Sequence, residues 1–178
     1  MIMKKDQSRL ILLAVISVLA LASRFLPHPP NFAPMAALAL LAGREIHNRF
    51  WAMGLTFILM LVSDLFLGFA SSSGFVYFGF LLVGCFSIFL FRNGSSPIKW
   101  IAAPLGSSAI FFVVSNFGVW AVDGLYPRTA EGLMTCFTMA LPFYHWSLAS
   151  DLFYWTLFSG VLSLATQSSW ARLSQKHA

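Results

Sequence analysis

Charge is the scarcest thing in this sequence. Asp, Glu, Lys and Arg make up 10% of its 178 residues, where a soluble domain carries about 25%. So little polar surface cannot keep a folded chain in water, which excludes an ordinary soluble domain and makes the bilayer its expected solvent. Cysteine is nearly absent too. Cys85 and Cys136 both lie in apolar runs and form no C-x-x-C pair, so a disulfide framework is excluded and both read as small packing residues. There is no G-x-x-x-x-G-K-[ST] stretch, no H-E-x-x-H and no G-x-S-x-G, so the chain brings no ATP-binding loop and no recognisable hydrolytic centre. His28 and His145 have no close His or Cys partner, and neither a metal nor a cofactor is expected. The protein is not expected to be an enzyme. Nor is nucleic acid an expected partner, because the basic residues sit in short clusters between apolar runs, the pattern of cytoplasmic loops.

What remains is apolar. Hydrophobic residues are 58% of the chain and nineteen are Phe. The runs predict spans at approximately 10–26, 32–43, 50–69, 75–91, 100–122 and 145–166. The 132–141 piece, ending at Pro142, reads as a short interfacial helix or the upper leg of a bent last span, and the interfacial helix is the reading adopted. The second run covers only ~16 Å as a helix, short of a bilayer of ~30 Å. It is expected to borrow length from its flanks or to sit where the membrane thins.

Six crossings put both termini on one side. Lys4, Lys5, Arg9, Arg44, Arg49, Arg92, Lys99, Arg172 and Lys176 then fall inside, and only Arg24 and Arg128 outside. This distribution predicts N-in, C-in by the positive-inside rule. The expected fold is an all-α membrane protein: residues 1–178 form a single integral domain, a six-transmembrane-helix bundle with a proline-rich external loop after the first helix. The basic start followed by an apolar run reads as a retained first span, with no cleavage site standing out before Arg24. The expected location is a bacterial inner membrane.

That loop, Arg24-Phe25-Leu26-Pro27-His28-Pro29-Pro30-Asn31-Phe32-Ala33-Pro34, cannot be regular helix throughout, because proline lacks an N–H and fixes φ. Non-helical backbone beside membrane spans is stable at the water interface, inside protein or lining a cavity. It is expected to be the lid or wall of a site.

An ionisable residue within a span is costly and calls for a reason. Two carboxylates qualify, in the like contexts Ser63-Asp64-Leu65-Phe66 and Ser150-Asp151-Leu152-Phe153. At the helical rise Asp64 lies ~21 Å from the cytoplasmic end of its span and Asp151 ~9 Å from the external end of its own. Both land in the outer third. Asn31, expected to open the second helix, and Asn116, closing the fifth, share that level, as do Arg24, His28, Trp120, Tyr126 and Tyr154. The equal depth argues for one external pocket rather than an inverted repeat. The candidate substrate-binding set is therefore Arg24, His28, Asn31, Asp64, Asn116, Trp120, Tyr126, Asp151 and Tyr154, a polar and aromatic bowl suited to a flat, ring-bearing solute. A plainer reading makes the carboxylates structural partners of Arg24 or Arg128 and the aromatics an interfacial belt. Gly79, Gly84, Ser107 and Ser108 read as small residues that let helices pack closely.

The proline-rich motif, Ser63-Asp64-Leu65, Ser115-Asn116-Phe117-Gly118-Val119-Trp120 with Leu125-Tyr126-Pro127, and Leu141-Pro142-Phe143 with Asp151-Leu152 together resemble a family of small bacterial membrane proteins of unknown function, described as candidate transport proteins. In length, span number and topology the chain is also similar to the substrate-binding S components of energy-coupling-factor vitamin transporters. That resemblance implies a solute held under the loop after the first helix, and a partner in an energising transmembrane subunit with its ATPases. Many S components carry Ala-x-x-x-Ala on the first helix, where this chain reads Ala14-Val-Ile-Ser-Val18. The expected function is solute transport through binding of a small vitamin-like molecule. The competing expectations are a membrane scaffold or assembly subunit without a solute, and an intramembrane enzyme using the two carboxylates.

Overall fold

The computed structural model describes the backbone of residues 2–174 and the side chains of residues 7–165. The expected cytoplasmic charges at Lys4, Lys5, Arg172 and Lys176 lie outside the described side chains. The described residues form six helices and no strand: α1 Ile2–Ser23, α2 Met35–Glu45, α3 Arg49–Leu67, α4 Ser73–Phe91, α5 Pro97–Val122 and α6 Ala130–Ser174.

The boundaries follow local chemistry. The Asn48 side chain caps α3 by accepting from the N–H groups of Phe50 at 3.0 Å and Trp51 at 3.3 Å, and Gly68 ends it at φ 94°, a conformation glycine adopts without a Cβ penalty. Ser96 caps α5, with Pro97 in the first turn, where the missing N–H costs nothing. α1 buries Leu13, Ile16, Ser17 and Ala20. That i, i+3, i+4, i+7 stripe faces the bundle, while Ile11, Val15, Val18 and Leu19 face outward.

α3, α4, α5 and residues Ala130–Ala165 of α6 are each long and apolar enough to cross a membrane. α2 is the exception and the centre. It packs against every other helix, and each residue from Met35 to Ala42 is buried. A helix apolar on all sides is a core helix, and an apolar stretch of this length reads the same way. The expectation that the second run must borrow length or thin the bilayer is therefore corrected. Protein, not lipid, surrounds α2, so bilayer thickness does not set its length. Its close approach to α4 rests on Gly43, where a Cβ would lie 2.8 Å from the Gly84 carbonyl oxygen.

Two further expectations change. Residues 132–141 are not a separate interfacial helix. They are continuous with the last run in α6, which passes through Pro142. Pro142 denies an N–H to the Thr138 carbonyl, but in apolar surroundings neighbouring helices hold such a segment straight enough to continue. Here Phe112 of α5 packs on Phe137 and Tyr144, with ring centroids 5.6 and 4.9 Å apart. The second correction is that Asn31 does not open α2. The helix starts at Met35, and Asn31 sits in a turn at φ 63°.

Candidate functional site

The α1–α2 loop lines an open cavity of about 380 Å³ at one end of the bundle. Residues 25–31 are exposed, and the chain then dips inward through Phe32, Ala33 and Pro34 to the start of α2. The loop's shape is set locally. The Phe32 N–H donates to the Pro29 carbonyl at 3.0 Å, with Pro30 and Asn31 between them and Asn31 at positive φ. Proline second and a left-handed residue third is the type II turn pattern, and Asn is among the few residues that tolerate the left-handed region. Phe32 anchors the loop among Trp146, Phe153 and Tyr154 of α6, with centroids 6.2, 6.2 and 5.7 Å away. Ser150 Oγ donates to the Ala33 carbonyl at 2.9 Å.

Arg24, His28 and Asn31 from the loop line the cavity, and Asp151 lines it from α6. These four sequence candidates are brought together. Asp64 joins them through Arg24, whose guanidinium pairs with Asp64 Oδ1 at 2.8 Å, with both side chains largely buried. The same guanidinium donates to Ser63 Oγ and, at 3.4 Å, to the Met60 carbonyl. Tyr77 of α4 donates to the other Asp64 oxygen at 2.6 Å. Asp64 is thus a satisfied carboxylate that ties the α1–α2 loop, α3 and α4 together beside the cavity. Asp151, 3% exposed, is held differently. Ser108 of α5 donates to its Oδ2 at 2.8 Å, and no ion pair among the described residues includes it. Ser108 is therefore more than a small packing residue: its hydroxyl orients the carboxylate.

Asn116, Trp120, Tyr126 and Tyr154 do not line the cavity. The Asn116 side-chain amide donates to its own helix at Phe112 O, 2.7 Å away, and the Asn116 backbone carbonyl accepts from Cys136 Sγ at 3.4 Å. Trp120 Nε1 donates to Pro127 O at 2.9 Å, closing the α5–α6 loop in which Tyr126 sits half-buried. Tyr154 packs on Phe32, Phe153 and Phe158. Trp120 and Tyr154 brace the two loops, and Asn116 joins α5 to α6.

The remaining walls of the cavity are apolar. Met35 comes from α2, Met60 from α3, Phe80 from α4 and Phe111 from α5, and Ser147 of α6 adds a hydroxyl. None of these was singled out from sequence, because Met and Phe occur throughout every run. Tyr77 was also missed. A lone phenol in an apolar helix needs a hydrogen-bond partner when buried, and that signal was available.

A second cluster was missed entirely. At the opposite end of α2, the Arg44 guanidinium lies 4.6 Å from the Trp100 ring, 5.7 Å from Phe91 and 5.9 Å from Trp155. Glu45 lies 3.4 Å from Arg44 Nε and 3.6 Å from Arg9 of α1. Trp155 Nε1 donates to Trp100 O at 3.0 Å.

No curated protein and no solved structure matches the chain. A family model described as "Family of unknown function (DUF6580)" matches residues 4–173, nearly the whole length, and the chain belongs to that family.

Proposed function

We propose that the protein is a solute-binding transport protein of the bacterial inner membrane, S-component-like in organisation. In this reading all six helical segments lie within the membrane domain, with both termini cytoplasmic and the α1–α2 loop at the external face. The clustering of basic residues supports that orientation. The observation that carries the reading is the cavity of about 380 Å³ beneath the loop. Its size falls within the range of small-molecule pockets, and its apolar walls with a few convergent polar groups are what such pockets have. The solute is small and ring-bearing, and stacks among Met35, Met60, Phe80 and Phe111 while polar groups at Arg24, His28 and Asp151 fix its orientation. Movement across the membrane would need the loop to release, and an energising subunit with ATPases is the partner the reading implies.

The test is mass spectrometry of small molecules that co-purify with the intact protein. One ring-bearing species is expected at near-stoichiometric amount, lost from Asp151→Asn and His28→Ala and retained by Asn116→Ala, whose amide is engaged with its own helix. Equal retention by Asp151→Asn and His28→Ala, or no bound species together with no stabilisation by any solute tried, would end the reading.

A further inference from the structure

We propose that the solute held in this cavity is cationic and that Asp151 is its counter-charge. The inference rests on the solute-binding reading above and names the chemical class. It starts from how the charges are matched. The described ion pairs are Arg9–Glu45, Arg24–Asp64 and Arg44–Glu45. Asp64 and Asp151 occupy near-identical sequence contexts and border the same end of the bundle, yet only Asp64 has an arginine. Asp151 is 3% exposed, and the hydrogen bond it accepts comes from a neutral hydroxyl, Ser108. Just before it in sequence, the buried Ser107 adds a second neutral hydroxyl beside the same carboxylate. A buried carboxylate without a cation carries a desolvation cost that a hydroxyl does not repay.

The cavity's other charged group is already committed. Arg24 has Asp64, Ser63 and the Met60 carbonyl as partners, so an entering anion meets no free guanidinium. His28 is exposed at the mouth, with its Nδ1 3.0 Å from the Pro29 carbonyl. The N-terminus of α2 borders the cavity at Met35 and Ala36, but a helix end carries only about half a positive charge and does not balance a whole carboxylate. The walls suit a cation too. Phe80 and Phe111, which line the cavity, stack with centroids 4.8 Å apart, and aromatic rings attract ammonium groups. Met35 and Met60 add polarizable sulfur. An amine-bearing ring would place its ammonium at Asp151 and its ring against these side chains.

The experiment uses the full chain in detergent and three probes sharing one ring: phenethylammonium, phenethyl alcohol and 3-phenylpropanoate. Thermal midpoints are followed over a concentration series. The ammonium is expected to raise the midpoint at concentrations at least tenfold below the alcohol, with no effect from the carboxylate. Asp151→Asn should erase the ammonium's advantage, bringing it level with the alcohol. Ser108→Ala, which keeps the carboxylate and loses only its orienting hydroxyl, should reduce that advantage severalfold and covers the case in which Asp151→Asn does not fold. Binding of the alcohol or the carboxylate as tight as that of the ammonium would overturn the cationic assignment and leave the solute-binding reading standing. So would an ammonium advantage unchanged in both variants. Failure of all three probes to shift the midpoint would count against both.

Discussion

The two ends of α2 solve one problem in opposite ways. At the loop end, Arg24 is neutralised by a full negative charge and donates to two further polar groups, Ser63 and the Met60 carbonyl, while Tyr77 donates to the other oxygen of Asp64. At the other end, Arg44 is surrounded by the faces of Phe91, Trp100 and Trp155, with Glu45 beside it. The aromatic end is filled. Trp155 is fully buried and its ring centroid lies 5.7 Å from that of Phe91 and 5.1 Å from that of Trp100. The loop end leaves a hollow. Large rings consume volume around a cation whose one carboxylate, Glu45, is shared with Arg9. A carboxylate, a serine and a backbone carbonyl satisfy Arg24 in less space and leave room beside them. The difference teaches where adaptability resides in this fold: α2 is anchored at its aromatic end and borders the cavity at the other. Asp151 and Trp155, one turn apart on the same face of α6, connect the two ends.

The contrast is broken most severely at the salt bridge. Arg24→Met leaves Asp64 buried with Tyr77 as its remaining partner, and removing one member of a buried pair costs about 3–5 kcal/mol. The double variant Arg24→Met, Asp64→Leu removes both charges and should recover most of that loss. Equilibrium unfolding by denaturing detergent checks both values. Equal losses in the single and double variants would show that the pair is not coupled as its 2.8 Å separation implies.

Arg44→Leu is the matching test at the other end, and its effect should be smaller, about 2 kcal/mol. The rings it leaves are uncharged, so they gain no unpaired charge, and Glu45 keeps Arg9 3.6 Å away. Measured by the same unfolding assay, a loss as large as that of Arg24→Met would mean the aromatic end depends on the charge as strongly as the loop end does.

Much of this was legible in the sequence, for reasons that differ by residue. The apolar runs between basic clusters located the helices, because in lipid a backbone has few alternatives. Counting residues at the helical rise put Asp64 and Asp151 at one level, and the structure places Asp64 on Arg24 and Asp151 on the wall of the cavity that Arg24 also lines. What could not be read was direction around each helix axis. Asn116 and Tyr154 have the depth of the site but face elsewhere, and depth is a one-dimensional measure. Arg44 was read as a loop charge by the positive-inside pattern, which counts arginines without asking what they touch. Pro142 read as a boundary because its effect in water was applied where neighbouring helices override it. The sequence also could not say that α2 is enclosed, since its length alone fits a short span as well as a buried helix.

The smallest effect expected is at the turn that shapes the loop, and it separates two roles for one residue. Asn31 lines the cavity, but its backbone at φ 63° is what the turn requires. If the side chain matters only through that conformation, Asn31→Gly should keep stability within a few tenths of a kcal/mol and retain the co-purified solute. Asn31→Ala should cost about 1 kcal/mol, because a Cβ without a hydrogen-bonding group crowds the following carbonyl in the left-handed region. Reversing the order, with glycine losing the solute and alanine retaining it, would assign the contribution of Asn31 to its amide. The cavity mouth would then gain a direct contact that Arg44 and its rings have no counterpart for, sharpening the difference between the end of α2 that binds and the end that holds.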